Sequence, residues 1–166
     1  MLAELQKVKD LDLQSCQISI WNPDFYTDEL AAEINAAVEA TGIFVSTLWA
    51  GYSGPIEWNF TQGPLTLGLV PPAYRGIREK ELLKASEFAA KINCVNIATH
   101  VGFIPENPNT VEYHSLIAAV RAVANYCKNN GQKFIFETGQ ETPVTLRRAI
   151  EDVGTDNLGI NLDPAN

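Results

Sequence analysis

Short apolar segments alternate with amphipathic helical segments along this chain, and this order limits the fold more than any other feature of the sequence. Apolar stretches typical of buried strands occupy residues 13–20, 43–49 and 94–99, and two more end near Phe136 and Leu162. Segments with apolar residues at helical spacing separate these strands. Strands that alternate with helices form parallel sheets with right-handed crossovers. The sequence therefore predicts an α/β fold.

Helix-capping residues mark the same alternation. Thr27 precedes one helical segment and Gly42 follows it, while Thr142 and Pro143 begin another that ends at Gly154. Threonine accepts hydrogen bonds from the free amides of a first helical turn, and glycine adopts the left-handed conformation that ends many helices. Two further helices are expected at residues 77–91 and 111–130.

The composition fits a single globular unit over residues 1–166. The chain is 46% hydrophobic and 19% charged, which allows one substantial core. Its formal net charge of -8 argues against binding to duplex nucleic acid, because phosphate contacts require clustered Lys and Arg. No apolar run reaches the roughly 20 residues of a membrane helix, and the first residues are unlike a signal peptide. We therefore expect a cytoplasmic protein without membrane or nucleic-acid partners.

The three cysteines, Cys16, Cys94 and Cys127, are odd in number and far apart in the sequence. A disulfide framework uses paired cysteines, and zinc sites use closely spaced pairs such as C-x-x-C. We therefore expect buried thiols in a reducing compartment.

Two of the predicted strands end in a carboxylate that is followed directly by a turn. Glu137 ends the first of these strands, and Asp163 follows the second. Because the C-terminal ends of parallel strands meet at one rim, both acids are expected where (β/α) barrels build their sites. Carboxylate oxygens are the ligands that hard divalent ions prefer. The pattern predicts a metal site, with helix capping by the two acids as the alternative. Asn161 lies on the same side of its strand as Asp163 and is suited to orient a ligand or to fill a polar layer.

Residues 50–75 show neither helical nor alternating spacing and are rich in Gly, Pro and aromatic residues. An ordered loop of this length inside a compact domain is uncommon and is usually functional. Since it follows the end of a strand, it is expected at the functional rim, where it either covers the site or fills a gap between helices.

Three strings of the sequence resemble a known family. They are THVGFIPE at residues 99–106, FETGQETPVTLRRAIEDVG at 136–154 and NLGINLDPAN at 157–166. These strings are similar to sugar-phosphate isomerase/epimerase proteins of the xylose isomerase-like TIM-barrel superfamily, the AP endonuclease family 2 type. That superfamily also includes ketose 3-epimerases, inosose dehydratases and apurinic endonucleases. The resemblance implies a parallel (β/α) barrel.

The resemblance also implies a divalent metal ion, Mn²⁺, Mg²⁺ or Co²⁺, held by residues at the ends of four successive strands. In the family these ligands are Glu, Asp, His and Glu on strands five to eight. By motif, the first two fall on Glu137 and Asp163. The last two have no counterpart, because the sequence stops at Asn166.

A barrel of this type takes about 250 residues. The 166 residues are therefore expected to hold strands two to six, about five of eight βα units, truncated at both ends. Such a chain is interpreted as a fragment or truncated paralogue, with a homo-oligomer that completes the barrel as the alternative.

The function that the resemblance implies is a metal-dependent isomerase or epimerase of a sugar or sugar phosphate. Glu137 would bind the metal and transfer a proton through an enediolate, while Asp163 would bind the metal alone. His100, at another strand end, is expected to act in catalysis or contact the substrate, with a core role as the alternative. The isolated chain is expected to be inactive. An apurinic-endonuclease-like phosphodiesterase and a non-catalytic paralogue remain as alternatives.

Further residues near the rim are candidates for substrate contact or ligand orientation. Trp49 and Trp58 offer flat faces to a sugar, although core packing is the simpler role for Trp49. Arg75 and Arg78 place positive charge at a helix start, where an anionic ligand such as a phosphorylated sugar is one explanation and ordinary surface positions are another. Candidates with less support are Glu106, Glu141 and Asn166 for the substrate, with helix capping as the alternative for both acids, and Gln140 as a support of the metal ligands.

Overall fold

The computed structural model describes residues 1–165 and contains one parallel sheet of five strands in the order in which they occur in the chain. The strands are β1 (Ser15–Ile20), β2 (Phe44–Ala50), β3 (Asn96–Thr99), β4 (Lys133–Glu137) and β5 (Leu158–Asn161). The helices are α1 (Leu2–Asp10), α2 (Asp28–Thr41), the short α3 (Gly63–Thr66), α4 (Pro72–Lys91), α5 (Val111–Asn129) and α6 (Pro143–Val153). The predicted α/β class is confirmed.

The two faces of the sheet differ because successive side chains of a strand point to opposite sides. One face packs against the helices and forms the apolar core. The central strands contribute Leu48, Ile97, Phe134 and Phe136 to this core, and the helices contribute residues that include Leu82, Phe88, Leu116, Val123 and Leu146. The opposite face carries polar side chains at the C-terminal ends of its strands. The fold therefore separates the apolar core from the part of the sheet where a site can form.

The predicted helix boundaries around α2 and α6 are confirmed. Thr27 Oγ1 accepts a hydrogen bond from Leu30 N at 3.2 Å, and Thr142 Oγ1 accepts one from Thr145 N at the same distance. The glycine that follows each helix has a left-handed φ angle, 76° at Gly42 and 69° at Gly154. Local chemistry therefore sets the ends of these helices.

Helix α4 begins at Pro72, five residues before the predicted start at Ile77. Proline suits this first position because its fixed φ is helical and its missing amide would be unpaired there. The buried face of α4 includes the charged residues Arg78 and Glu81, which interrupt the apolar spacing. The predicted start of α4 was too late because this helix buries charged as well as apolar side chains.

The segment between β2 and α4, residues 51–71, folds around the Arg78 side chain, which is fully buried. The Arg78 guanidinium donates hydrogen bonds to the carbonyl oxygens of Ser53, Pro55, Thr66 and Gly68 over 2.6–3.0 Å. It also lies over two tyrosine rings, with centroid distances of 4.3 Å to Tyr52 and 4.8 Å to Tyr74. Burial lowers the pKa of Arg78, but the carbonyl oxygens and aromatic rings surround the charge with favourable partners. We call residues 51–71 the anchored loop.

The sheet is open rather than closed. Within residues 1–165, β1 and β5 each pair with a single neighbour, so the barrel is incomplete as predicted. Ile160 on β5 and Leu162 after it are exposed beside α6. The expected completion by a homo-oligomer stays a prediction.

The cysteines are all free thiols: Cys94 and Cys127 are buried as expected, whereas Cys16 is half-buried. None of the helices described between residues 1 and 165 combines the length and apolar character that a membrane span requires.

Replacing Arg78 by Lys keeps the charge but removes the planar fork that holds the anchored loop. Hydrogen bonds to charged groups contribute about 1.5–3 kcal/mol each, so we expect the free energy of unfolding to fall by about 3 kcal/mol or more. Urea unfolding followed by circular dichroism measures this change. Arg147→Lys, in an exposed ion pair with Glu151, is the matched control and should change stability by less than about 0.5 kcal/mol. Equal stability of the two variants would contradict the anchoring role.

Candidate functional site

A pocket of about 300 Å³ opens at the C-terminal ends of the strands, on the sheet face away from the helices. We call it the rim pocket. It brings together five residues predicted from the sequence, which are Trp49, Trp58, His100, Glu137 and Asp163. It also contains three that the sequence reasoning missed, which are Gln17, Ser19 and Trp21.

The two acids sit on neighbouring strands whose ends are tied together. Glu137 lies opposite Asn161 in the β4–β5 pairing, and Asn161 Nδ2 donates a hydrogen bond to Glu137 Oε2. Thr138 Oγ1 accepts a hydrogen bond from Asp163 N at 2.8 Å, and Asp163 Oδ1 accepts one from Ala165 N at 2.8 Å. These contacts orient the Glu137 carboxylate and fix the turn that carries Asp163.

His100 is almost completely buried at the end of β3, with 1% of its surface exposed. Its Nδ1 accepts a hydrogen bond from Gly102 N at 3.1 Å, so we infer that the proton of the neutral ring is on Nε2. Among the described residues, Nε2 has no hydrogen-bond partner. Burial lowers the pKa of His100 to about 4, with Gln140 opposing that change. The ring is therefore a neutral hydrogen-bond donor near pH 7.

Two close approaches depend on glycine. A Cβ on Gly139 would collide with the His100 ring, and a Cβ on Gly51 would collide with the Trp21 backbone. Both glycines follow strand ends, after β4 and β2 respectively. A side chain at either position would therefore move a residue that lines the rim pocket.

The three tryptophans form a continuous aromatic surface. The ring centroids of Trp21 and Trp49 are 4.4 Å apart, and those of Trp21 and Trp58 are 6.5 Å apart at an interplanar angle of 88°. Trp58 also meets the His100 ring edge to face at 5.1 Å. Trp49 is 6% exposed, whereas Trp21 and Trp58 are about half exposed. The anchored loop thus brings Trp58 against a strand-end residue.

A family model described as the xylose isomerase-like TIM barrel matches residues 5–166. The chain belongs to this family. The relationship expected from the sequence strings is confirmed. Among curated proteins, none matches the chain significantly.

Solved structures agree with this assignment. The xylose isomerase domain protein of Planctomyces limnophilus is 35% identical, with a TM-score of 0.90, and the match covers 98% of this chain and 58% of that protein. D-psicose 3-epimerase of Clostridium cellulolyticum H10, solved with D-tagatose, is 16% identical, with a TM-score of 0.71 and coverage of 96% and 56%. A family 2 AP endonuclease of Brucella melitensis is 13% identical, with a TM-score of 0.72 and coverage of 98% and 62%. This chain spans less than two thirds of the length of each.

The metal ligands expected in this xylose isomerase-like barrel are present in part. Glu137 and Asp163 line the same pocket and supply hard oxygen atoms. Within the described part of the chain, no group of three or more His, Cys, Asp or Glu side chains is placed to hold a metal ion. A similar protein from Mycobacterium smegmatis was solved with magnesium, at 16% identity, a TM-score of 0.68 and coverage of 98% and 55%. The two carboxylates fit a hard divalent ion as part of a larger ligand set.

The two arginines near the start of α4 form their hydrogen bonds outside the rim pocket. Arg75 donates hydrogen bonds to Leu69 O at 2.6 Å, Val70 O at 2.5 Å and Ser115 Oγ at 2.6 Å. Arg78 is the buried residue that holds the anchored loop, so the prediction of a surface position for Arg78 is wrong. Backbone carbonyl oxygens therefore balance both charges, and neither arginine lines the rim pocket.

The remaining candidates that the structure describes do not line the rim pocket. Glu106 accepts hydrogen bonds from Thr145 Oγ1 and Thr142 Oγ1, and these bonds, that from Thr145 most of all, lower its pKa. Glu106 therefore binds two hydroxyl groups at the start of α6, while Thr142 and Thr110 are the caps of α6 and α5. Glu141 lines the groove between α6 and β5, and burial raises its pKa. Gln140 is half-buried near His100, and Asn166 lies outside the described residues.

The sequence contains a pattern that could have identified the β1 residues of the rim pocket. Gln17 and Ser19 alternate with Cys16, Ile18 and Ile20, which is the period of a strand with one polar face. The polar positions face the rim pocket, and Trp21 continues the same side beyond the strand. This alternation would have predicted that β1 presents polar residues on the face that carries the site.

The burial of His100 makes a specific prediction about its titration. Because its pKa in the folded protein lies below the ordinary value of about 6.5, the unfolded chain takes up this proton first. The free energy of unfolding should therefore fall as the pH drops from about 6.5 towards 4, and His100→Asn should reduce this fall. Proton NMR of the His100 ring measures the titration directly, and His100→Asn identifies its signals. A His100 midpoint near 6.5 would contradict the buried neutral ring.

Proposed function

We propose that this chain carries one part of the active site of a metal-dependent sugar isomerase or epimerase. The observation that supports this most is the shared pocket of two strand-end carboxylates, a buried neutral histidine and an aromatic wall. Family membership and the similarity to an epimerase fold add to it. Because the chain covers about 58% of its Planctomyces relative, the whole reaction needs residues beyond those described. A cytoplasmic location remains a prediction.

Glu137 and Asp163 would hold the divalent ion through carboxylate oxygens, and Mn²⁺, Mg²⁺ and Co²⁺ suit such ligands. When bound, an ion of this kind polarises a sugar carbonyl together with the neighbouring hydroxyl. Asn161 would keep the Glu137 carboxylate in place through the hydrogen bond to Oε2.

Glu137 would also act as the general base. Its carboxylate would take the proton from the carbon next to the carbonyl. The electron pair of that C–H bond would form a C–C double bond, and the π pair of the carbonyl would move to its oxygen, which gives an enediolate. Return of a proton to the former carbonyl carbon, with transfer of the hydroxyl proton to the other oxygen, would give the isomer. Return of a proton to the original carbon from the opposite face would give the epimer. A group on that opposite face has to come from beyond the described residues.

His100 argues against the endonuclease alternative, which needs metal-binding histidines. A metal-binding histidine requires a nitrogen with a free lone pair. In the inferred tautomer Nδ1 accepts the Gly102 amide and Nε2 carries the proton, so neither nitrogen is available to a metal ion. Nε2 is also buried against Gly139, and the low pKa of His100 keeps the ring neutral.

Metal binding by the 166-residue chain should be weak, because two carboxylates are about half of the expected ligand set. We expect a dissociation constant for Mn²⁺ above about 1 μM by isothermal titration calorimetry, and a loss of binding in both Glu137→Gln and Asp163→Asn. Glu39→Gln, at an exposed position of α2, is the control and should bind Mn²⁺ unchanged. Binding that survives both site variants would reject the assigned ligands.

The reaction itself can be tested in a longer protein that joins this chain to the remaining part of the Planctomyces relative. With Mn²⁺ in deuterium oxide, it should exchange deuterium into D-fructose at the carbon next to the carbonyl. Glu137→Gln should reduce this exchange by roughly 10²-fold or more, as for loss of a general base, and Glu39→Gln should leave it unchanged. Cleavage of abasic DNA without any sugar exchange would replace this proposal by the endonuclease reading.

A further inference from the structure

We propose that Trp21, Trp49 and Trp58 form a stacking subsite for an uncharged sugar ring, and that the rim pocket selects such a sugar over a sugar phosphate. This inference rests on the proposed function and names its substrate class. It follows from the placement of the tryptophans, the polar groups beside them and the charges around the pocket.

All three tryptophans of the chain line this one pocket. Trp21 and Trp58 stand nearly perpendicular, so they form two walls of a corner, and Trp49 packs behind Trp21. Trp49 is buried and supports the corner, whereas Trp21 is 53% exposed and Trp58 is 49% exposed. Large aromatic faces left partly open inside a pocket gain from contact with an apolar ligand surface, and the C–H face of a sugar ring is such a surface.

Two polar residues of β1 lie beside the aromatic corner that Trp21 and Trp58 form. Gln17 and Ser19 are exposed on β1, four and two residues before Trp21, and both line the pocket. An amide and a hydroxyl donate and accept hydrogen bonds without net charge. They match the hydroxyl groups of a sugar that stacks on the aromatic rings.

The charges of the pocket favour a neutral ligand. Its described lining contains two carboxylates, Glu137 and Asp163, and neither Lys nor Arg. Arg and Lys are the residues that commonly bind phosphate. The nearby arginines, Arg75 and Arg78, already donate their hydrogen bonds to carbonyl oxygens. In the metal-free chain, a phosphate group in the rim pocket would therefore face two carboxylates without Lys or Arg to bind it.

A nucleobase would also stack on aromatic rings, but a nucleic acid brings phosphates. Proteins that bind single strands combine stacking residues with a positively charged groove. The formal net charge of -8 and the acidic pocket oppose this combination. The sugar ring is the ligand that fits both the rings and the charges.

The test measures binding of D-fructose and D-fructose 6-phosphate to the 166-residue chain without metal, by saturation-transfer NMR and tryptophan fluorescence. We expect D-fructose to bind at least about threefold more tightly than its phosphate. Trp58→Leu removes the aromatic face but keeps an apolar side chain, and should weaken D-fructose binding about five- to tenfold, as expected for one stacking contact. Trp58→Phe keeps an aromatic face and should stay within about threefold of the original affinity.

Phe60→Ala is the matched control, because Phe60 is an exposed aromatic residue of the anchored loop outside the rim pocket. This variant should bind D-fructose unchanged. Equal affinities of Trp58→Leu and Trp58→Phe would overturn the stacking subsite, and tighter binding of the phosphate would overturn the selection for an uncharged sugar. Tryptophan-dependent binding without deuterium exchange in the longer protein would instead reject the proposed reaction and leave the subsite standing.

Discussion

The buried guanidinium of Arg78 is the interaction on which the functional rim depends. An ordered loop must satisfy its backbone carbonyl groups, and the anchored loop has too little regular structure to do so by itself. Arg78 supplies donors for four of these carbonyl groups from a position inside the protein. Because that loop carries Trp58, a buried cation at the start of a helix positions an aromatic residue at the site.

The site combines parts that different elements bring to one place. Backbone pairing between β4 and β5 sets Glu137 beside Asn161, and the Thr138 hydroxyl fixes the following turn with Asp163. His100 comes from β3 and fits because residue 139 is glycine. Burial lowers the pKa of this ring, so a neutral imidazole packs against Trp58 near pH 7.

Much of the fold was predictable because its signals are local. The caps Thr27 and Thr142 and the left-handed glycines Gly42 and Gly154 act within one helical turn, and the structure has them where the sequence placed them. Glu137 and Asp163 were predictable at one rim because strand ends of a parallel sheet share a side. The start of α4 was not, since its buried face includes Arg78, a residue that spacing rules assign to the surface.

The sequence by itself determined the order of strands and helices, the acids at the strand ends and the family, because these depend on residue types at short spacing. The tertiary structure decided that Arg75 and Arg78 bind loop carbonyl groups rather than an anion, that Glu106 binds hydroxyl groups at the start of α6, and that Trp21 joins Trp58 in the rim pocket. Those outcomes depend on which long-range neighbours pack together, because burial and charge balance are set by the surrounding chain rather than by the residue alone.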